Sequence, residues 1–174
     1  MKIALHNRDI IEVTEADTVV IPVDGSGPRM EGNLARHFMR HVGVDDMDEL
    51  YDPPPRYPFT GDTHWSSLAA FEQSHFEHLC CLGILSHQLG ADHKGHLRSA
   101  FRGMLMNAAS RADLGSRLAC PILTGGKRIP AIDAIYVMVA ELDAFAGHGG
   151  ATLELHLAER DPARFALLES VVRC

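Results

Sequence analysis

The chain has 174 residues, of which 46% are hydrophobic and 22% are charged, proportions that are typical of a globular protein of one domain. Its formal net charge of −7 argues against binding to the phosphate backbone of nucleic acids, because proteins with that task carry a basic face. No apolar run approaches the ~20 residues of a membrane span, and the polar N-terminus shows no signal peptide. We therefore expect a cytoplasmic protein without a membrane partner.

Strand and helix patterns alternate along the first part of the chain. Residues 2–5 predict a short edge strand, and the continuous apolar run 18–23 predicts a buried central strand, with pairing that stops at Pro22. Residues 44–77 are irregular, with an acidic cluster and several prolines, and we expect a long surface loop or insertion that can include one short strand. The stretch 65–76 fits either a helix or a strand. A helix ending at Gly43 is predicted by apolar residues spaced four apart: Met30, Leu34, Phe38 and Val42.

The second part of the chain continues the alternation. Residues 78–85, 117–123 and 152–157 predict three further strands. Apolar stripes that start near Leu97 and Ile132 predict two helices, and Asp161 can cap a last helix with Pro162 at its first position. We therefore predict an α/β fold, a three-layer α/β/α sandwich around a central mixed, largely parallel sheet.

Two glycine-bearing loops follow two of the predicted strands. The first runs Asp24-Gly25-Ser26-Gly27 and continues to Glu31-Gly32-Asn33-Leu34; the second runs Thr124-Gly125-Gly126-Lys127-Arg128. A strand that leads through a glycine loop into a helix presents backbone N–H groups to an anion. Two such loops indicate a cleft for a ligand with two phosphates. The alternative is ordinary turn chemistry, with Asp24 in an Asx-turn and the two basic residues solvated.

The order of these elements, together with Asp9-Ile10 and the two loops, resembles a macro domain over nearly the whole chain, 1–174. Macro domains are α/β/α modules that bind ADP-ribose and related nucleotides, and some hydrolyse ADP-ribose esters. The resemblance implies that Asp9 accepts a hydrogen bond from the adenine amino group and that Ile10 donates a backbone N–H beside it. It places Asp24 at the distal ribose, Gly32, Asn33 and Leu34 in the first loop, and residues 124–128 in the second phosphate loop.

The function that we expect is therefore the binding of ADP-ribose, or of a related phosphorylated small molecule, at the C-terminal ends of the strands. If the chain is also a hydrolase, Asp24 would orient or activate water, while the second loop stabilises the phosphate side of the leaving group. No cofactor and no metal ion is predicted. Whether the chain forms a homo-oligomer is left open.

Two other functions stay open at this point. Arg8 stands where the family has Gly, one glycine of the first triplet is kept, and no aromatic residue follows the last strand at 158–160. These departures favour a degenerate macro-like module that serves in protein interaction or oligomer assembly. A metal-dependent hydrolase that uses His87, His93 and His96 is the third hypothesis. Cys120 in a buried strand is interpreted as a core thiol rather than a nucleophile.

Overall fold

A six-stranded sheet forms the middle layer of the computed structural model, which describes residues 1–27, 32–86, 88, 90–147 and 152–173. The strands are β1 (Lys2–His6), β2 (Thr18–Asp24), β3 (Thr63–Ser67), β4 (His78–Leu85), β5 (Arg117–Pro121) and β6 (Glu154–Ala158). They lie in the order β1-β6-β5-β2-β4-β3, and each neighbouring pair is parallel except β3 with β4. The prediction of a mixed, largely parallel sheet is confirmed.

Helices cover both faces of this sheet. Alternate strand residues point to opposite faces, so each face has its own apolar cluster. On one face Val19 and Ile21 pack with Phe38, and on the other Val20 packs with Phe101. The three-layer α/β/α sandwich is thus confirmed. The first of the following helices covers the first face and the other three cover the second: α1 (Asn33–Val42), α2 (His93–Ser110), α3 (Ala131–Ala146) and α4 (Pro162–Val172).

Helix ends follow the chemistry that the sequence indicates. Gly43 ends α1 in the left-handed conformation, at φ 78°, which glycine adopts without steric cost. Asp161 caps α4, and its Oδ1 accepts from the N–H groups of Ala163 and Arg164. Met30, the first residue of the predicted α1 stripe, lies outside the described residues. Within the described ranges, no helix has the length and apolar content that crossing a membrane requires.

Residues 44–62 form the predicted loop, with most of their side chains exposed or half-buried, and β3 is the one short strand that this region can include. The loop differs from the prediction at four side chains that join the core. Met47 and Leu50 belong to a 3₁₀ helix and are buried, and Tyr51 and Phe59 are buried farther along. These side chains pack in the cluster that contains Phe38, on the face of the sheet that α1 covers. A short α1 leaves part of that face open, and this segment fills the remainder.

The pairing of β2 also differs from the prediction. Pro22 does not stop it on the β4 side, where pairing continues to Asp24 across a bulge. On the β5 side the ladder ends earlier, because only Thr18 and Val19 have partners in β5. β5 itself ends at Pro121, two residues before the predicted end. β2 and β5 are therefore neighbours that stop pairing well before their C-terminal ends.

Candidate ligand-binding site

A crevice is expected between the C-terminal ends of β2 and β5. β2 leads into α1 on one face of the sheet, whereas β5 leads into α3 on the other face. Such a switch in the direction of the connections is where open α/β sheets place ligands. The early end of the β2–β5 ladder lies at this same point. Both glycine loops begin here, so the topology brings them together.

The first loop, residues 24–32, starts at a tight backbone crossing. The Gly25 N–H donates to the Leu85 carbonyl at 3.2 Å, and the Gly25 carbonyl accepts from the Phe59 N–H at 2.8 Å. A Cβ at this glycine would lie 2.7 Å from the backbone nitrogen of Thr60, closer than real side chains approach. At Gly27 a Cβ would meet no atom of the described residues within 4 Å. Gly25 therefore serves the packing of the 44–62 segment against the loop.

Asp24 has the geometry of an Asx-turn. Its side chain is buried, and Oδ1 accepts from the Ser26 N–H at 2.8 Å and from the Ser26 hydroxyl at 2.5 Å. The turn hypothesis is thus confirmed for this carboxylate. A catalytic role for Asp24 stays a prediction. Residues 28–31, which include Glu31 of the quoted motif, lie outside the described residues.

The start of α1 lacks a side-chain cap. Gly32 is the N-cap in an extended conformation, at φ −88° and ψ 161°, and no acidic residue lies in the first turn. The first N–H groups of a helix have no partner within the helix. At Asn33 and Leu34 they carry the partial positive charge of the helix dipole toward the crevice.

The second loop, residues 124–129, winds in the left-handed sense. Gly125, Gly126 and Lys127 have φ angles of 54°, 63° and 77°, and Lys127 is the one non-glycine residue with positive φ in the described ranges. Such a conformation costs a residue with a side chain about 1–2 kcal/mol. The loop is closed by hydrogen bonds from Arg128 to the Gly125 carbonyl and from Ile129 to the Thr124 carbonyl.

This winding leaves three consecutive amides for a ligand. The N–H groups of Gly125, Gly126 and Lys127 donate to no acceptor among the described residues. Successive N–H groups in a turn of this kind form a concavity that binds anions. The side chains of Lys127 and Arg128 are exposed beside it. Gly125 packs closely against Leu85, since a Cβ there would lie 2.6 Å from Leu85 Cδ2.

Asp9 is a cap and an ion-pair partner at once. Its Oδ1 accepts from the Ile11 N–H at 3.3 Å in a capping box that opens a 3₁₀ helix at the buried Ile10. Its Oδ2 lies 3.1 Å from His37 Nε2 on α1 and 3.5 Å from Arg160 after β6. Neither His37 nor Arg160 is among the predicted site residues, because nothing in the local sequence links either to Asp9.

The charge states of several ionisable groups near Asp9 are fixed by neighbouring side chains or by burial. Arg8 donates to both carboxylate oxygens of Glu15, at 2.7 and 2.6 Å, and this lowers the pKa of Glu15 to about 2. Burial, with His75 and His37 close by, lowers the pKa of His41 on α1. At neutral pH Arg8 therefore forms an ion pair with Glu15, and the His41 ring is neutral.

The other sequence candidates contribute little to this site. His93 and His96 lie in the first turn of α2 with ring centroids 6.2 Å apart, and His87 lies outside the described residues. Across the described ranges, no group of three or more His, Cys, Asp or Glu side chains could hold a metal ion. Cys120 is fully buried, and burial raises the pKa of its thiol, as expected for a core thiol.

Comparisons with known proteins identify the fold. No family model and no curated protein matches the sequence. Among solved structures, the Trypanosoma brucei macrodomain in complex with ADP is similar over 98% of this chain and 69% of its own, at 16% identity and a TM-score of 0.74.

Two further structures agree. The same T. brucei macrodomain in complex with ADP-ribose matches over 98% of this chain and 68% of its own, at 14% identity and a TM-score of 0.69. A variant of the Oceanobacillus iheyensis macrodomain matches over 97% of this chain and 89% of its own, at 15% identity and a TM-score of 0.72. This chain therefore has the macrodomain fold.

Proposed function

We propose that residues 1–174 form one macrodomain-like module that binds ADP-ribose, or a related nucleoside diphosphate, at the C-terminal ends of β2 and β5. The observation that carries this proposal is the set of unclaimed amides at Gly125, Gly126 and Lys127, facing the same edge of the sheet as the uncapped start of α1. The structurally similar T. brucei macrodomain is known in complex with ADP and with ADP-ribose, which supports this choice of ligand class.

The diphosphate would lie between the two loops. One phosphate would accept from the amides of residues 125–127, and the other from the first turn of α1, at Gly32, Asn33 and Leu34. Lys127 and Arg128 add positive charge at the rim, whereas the whole chain carries −7. Binding through fixed amide dipoles explains how an acidic protein can hold an anion, since these dipoles act within a few ångströms.

The two ends of the ligand would meet different side chains. Asp9 and Ile10 would hold the base, and Asp24 would contact the distal ribose, as the resemblance implies. Gly25 and Gly27 would border that ribose, and Thr124 would belong to the second phosphate loop. At the base end, the contacts of His37 and Arg160 with Asp9 mean that an incoming amino group must share this carboxylate. This sharing is the specific observation that favours the second candidate function, a macro-like module without nucleotide binding that serves in protein interaction.

Calorimetric titration of the purified chain with ADP-ribose, ADP and adenosine separates the two functions. The proposal predicts that ADP-ribose and ADP bind, and that adenosine binds at least tenfold more weakly because it lacks phosphates for the loop amides. If none of the three binds at millimolar concentration, nucleotide binding is rejected and protein interaction becomes the leading function.

A pair of glutamate variants tests where binding occurs. Gly32→Glu places a carboxylate at the start of α1, and among the described residues a Cβ there meets only the Pro22 carbonyl oxygen, at an ordinary 3.6 Å. Ala140→Glu adds the same charge at an exposed position of α3 and serves as the control. We expect Gly32→Glu to abolish ADP-ribose binding and Ala140→Glu to retain it; equal effects would indicate a site elsewhere.

Hydrolysis is a separate prediction, and it rests on Asp24. Asp24→Asn keeps an oxygen that can accept from Ser26, so the turn is retained while the negative charge is lost. If the chain cleaves an ADP-ribosyl ester, this variant should bind ADP-ribose normally and release it from the ester at least tenfold more slowly. Release at an unchanged rate would remove Asp24 from the reaction.

A further inference from the structure

The outer edge of the sheet at β3 carries backbone groups without partners. The Gly83 N–H donates to the Asp62 carbonyl, and the Leu68 N–H donates to the Glu77 carbonyl. The even-numbered residues of β3 therefore exchange hydrogen bonds with β4 in this antiparallel pair. The N–H and C=O groups of the odd-numbered residues 63, 65 and 67 therefore point away from β4.

Part of this edge is blocked and part is open. Asp62 Oδ1 accepts from the Thr63 N–H at 2.8 Å, a device that protects one end of an edge strand. The N–H groups of Trp65 and Ser67 donate to no acceptor within the described ranges. An added strand can pair with these two amides and with the carbonyls of Thr63 and Trp65.

A groove of about 700 Å³ follows this edge and includes all of residues 63–67 in its lining. One wall comes from the α2 side, where Asn107 donates to the Thr63 hydroxyl at 3.0 Å. The other wall comes from Asp52 and Pro53, on the face toward which His64 points. The free backbone thus lies within the groove, between the α2 side and residues 52–53.

The charges of the groove select for a basic occupant. Its ionisable lining consists of three carboxylates, from Asp52, Asp62 and Asp113, one guanidinium, from Arg111, and the imidazoles of His64 and His78. Arg111 is already paired with Asp113 at 2.6 Å. Burial lowers the pKa of His64, so at neutral pH its ring does not offset the negative charge.

We propose that this groove is a docking site for an extended basic peptide, which adds a seventh strand beside β3. The backbone hydrogen bonds would supply affinity, and the carboxylates of Asp52 and Asp62 would select lysine or arginine side chains. The site is separate from the crevice at β2 and β5, because β3 lies at the end of the sheet beyond β4.

A basic peptide fits this edge better than a second copy of the chain. Pairing of two β3 edges would bring the carboxylates of Asp52 and Asp62 from both copies together, and like charges across an interface are strongly unfavourable. A single extended strand also enters a groove with walls on both sides. β3 has five residues, so a pentapeptide of about 17 Å matches its length.

Trp65 is the single tryptophan of the chain and lines the groove, so its fluorescence reports directly on binding there. The probe is acetyl-Lys-Val-Lys-Val-Lys-amide, compared with the same peptide carrying Glu in place of Lys. We expect the lysine peptide to change the tryptophan emission saturably and the glutamate peptide to have no effect. Absence of a saturable change up to millimolar lysine peptide, or equal binding of both peptides, would overturn the proposal.

Backbone pairing is tested with two N-methylated forms of the lysine peptide, one methylated at both valines and one at the lysines. Alternate amides of a strand point to opposite sides, so one form should lose at least tenfold in affinity and the other should stay within about threefold. Equal affinities of the two forms would contradict strand addition. On the protein side, Ser67→Pro removes an outward amide at an edge position that tolerates proline, and we expect about fivefold weaker binding.

Discussion

The four helices begin at the same edge of the sheet, but they begin in two different ways. α2 starts at Asp92, which accepts from the Gly95 N–H at 2.9 Å, and α4 starts at Asp161, which accepts from two amides. α1 and α3 start at Gly32 and Pro130, and neither residue supplies a side-chain cap. The two uncapped helices are the ones that follow the glycine loops.

The difference shows where the chain gives up stability. An aspartate cap contributes about 1 kcal/mol relative to alanine, and a carboxylate near a helix N-terminus about 0.3–1 kcal/mol. α2 and α4 have this stabilisation from their own side chains. The first amides of α1 have no such cap, and in the proposed site they would bind the ligand together with the amides of residues 125–127. Proteins often break local rules of stability at functional sites, and the missing cap agrees with the proposed role of α1.

The largest effect is expected at the backbone crossing that supports the uncapped side. Gly25→Ala forces a Cβ to within 2.7–2.9 Å of the backbone at Phe59 and Thr60, which cannot shift as a side chain can. We expect a loss of about 3 kcal/mol in the free energy of unfolding, measured by urea denaturation. Gly27→Ala is the matched control in the same loop and should change that free energy by less than about 0.5 kcal/mol. Similar losses in the free energy of unfolding for both variants would contradict the close backbone approach at Gly25.

The next effect comes from adding a side-chain cap to α1. Gly32→Asp gives this helix the cap that α4 already has, at backbone angles that any residue adopts. Stability should rise by about 0.5 kcal/mol, while affinity for ADP-ribose falls at least tenfold, or about 1.4 kcal/mol. Urea denaturation and calorimetry on the same preparation check the two signs. A variant that gains stability and keeps full affinity would show that the α1 amides do not bind the ligand.

The sequence predicts one side of this comparison better than the other. The cap at Asp161 and the end of α1 at Gly43 follow from local residue chemistry, and β4 lies at residues 78–85 as its apolar run indicates. The burial of Met47 and Leu50 could not be predicted, because short turns carry no periodic pattern and tertiary packing alone decides their exposure.

The candidate site also has a part that the sequence predicts and a part that it does not. Glycine-rich loops after strands predict where amides gather, and residues 124–128 show this in the sequence. The contacts of His37 and Arg160 with Asp9 join α1, the segment after β1 and the end of β6. Such contacts arise from strand order, which one sequence does not specify at the level of side chains.

A smaller effect is expected on the capped side. Asp161→Ala removes the acceptor for two amides of α4 and should lower the free energy of unfolding by about 1 kcal/mol. Affinity for ADP-ribose should stay unchanged, because α4 holds no part of the proposed diphosphate site. Asp161→Asn, which also caps well, is the control for thermal or urea denaturation. A marked loss of affinity in Asp161→Ala with stability restored in Asp161→Asn would extend the site to α4.

The smallest effect separates amides from charge in the second loop. Lys127→Gly removes the cation, and glycine accepts the φ of 77° without strain, so the backbone of the loop is kept. If the amides supply most of the binding, the dissociation constant for ADP-ribose should rise less than threefold. A tenfold rise or more in calorimetry would assign the affinity to the Lys127 side chain instead.

Amide NMR of the 19.1 kDa chain during a titration with ADP-ribose shows which backbone N–H groups take part in binding. We expect the largest ¹H–¹⁵N shift changes at Gly125, Gly126 and Lys127 and in the first turn of α1. The amides of Gly95 and Ala163, which the aspartate caps already hold, should hardly move. Largest changes at the capped helices, or no change at millimolar ADP-ribose, would contradict the claim that the unclaimed amides bind the diphosphate.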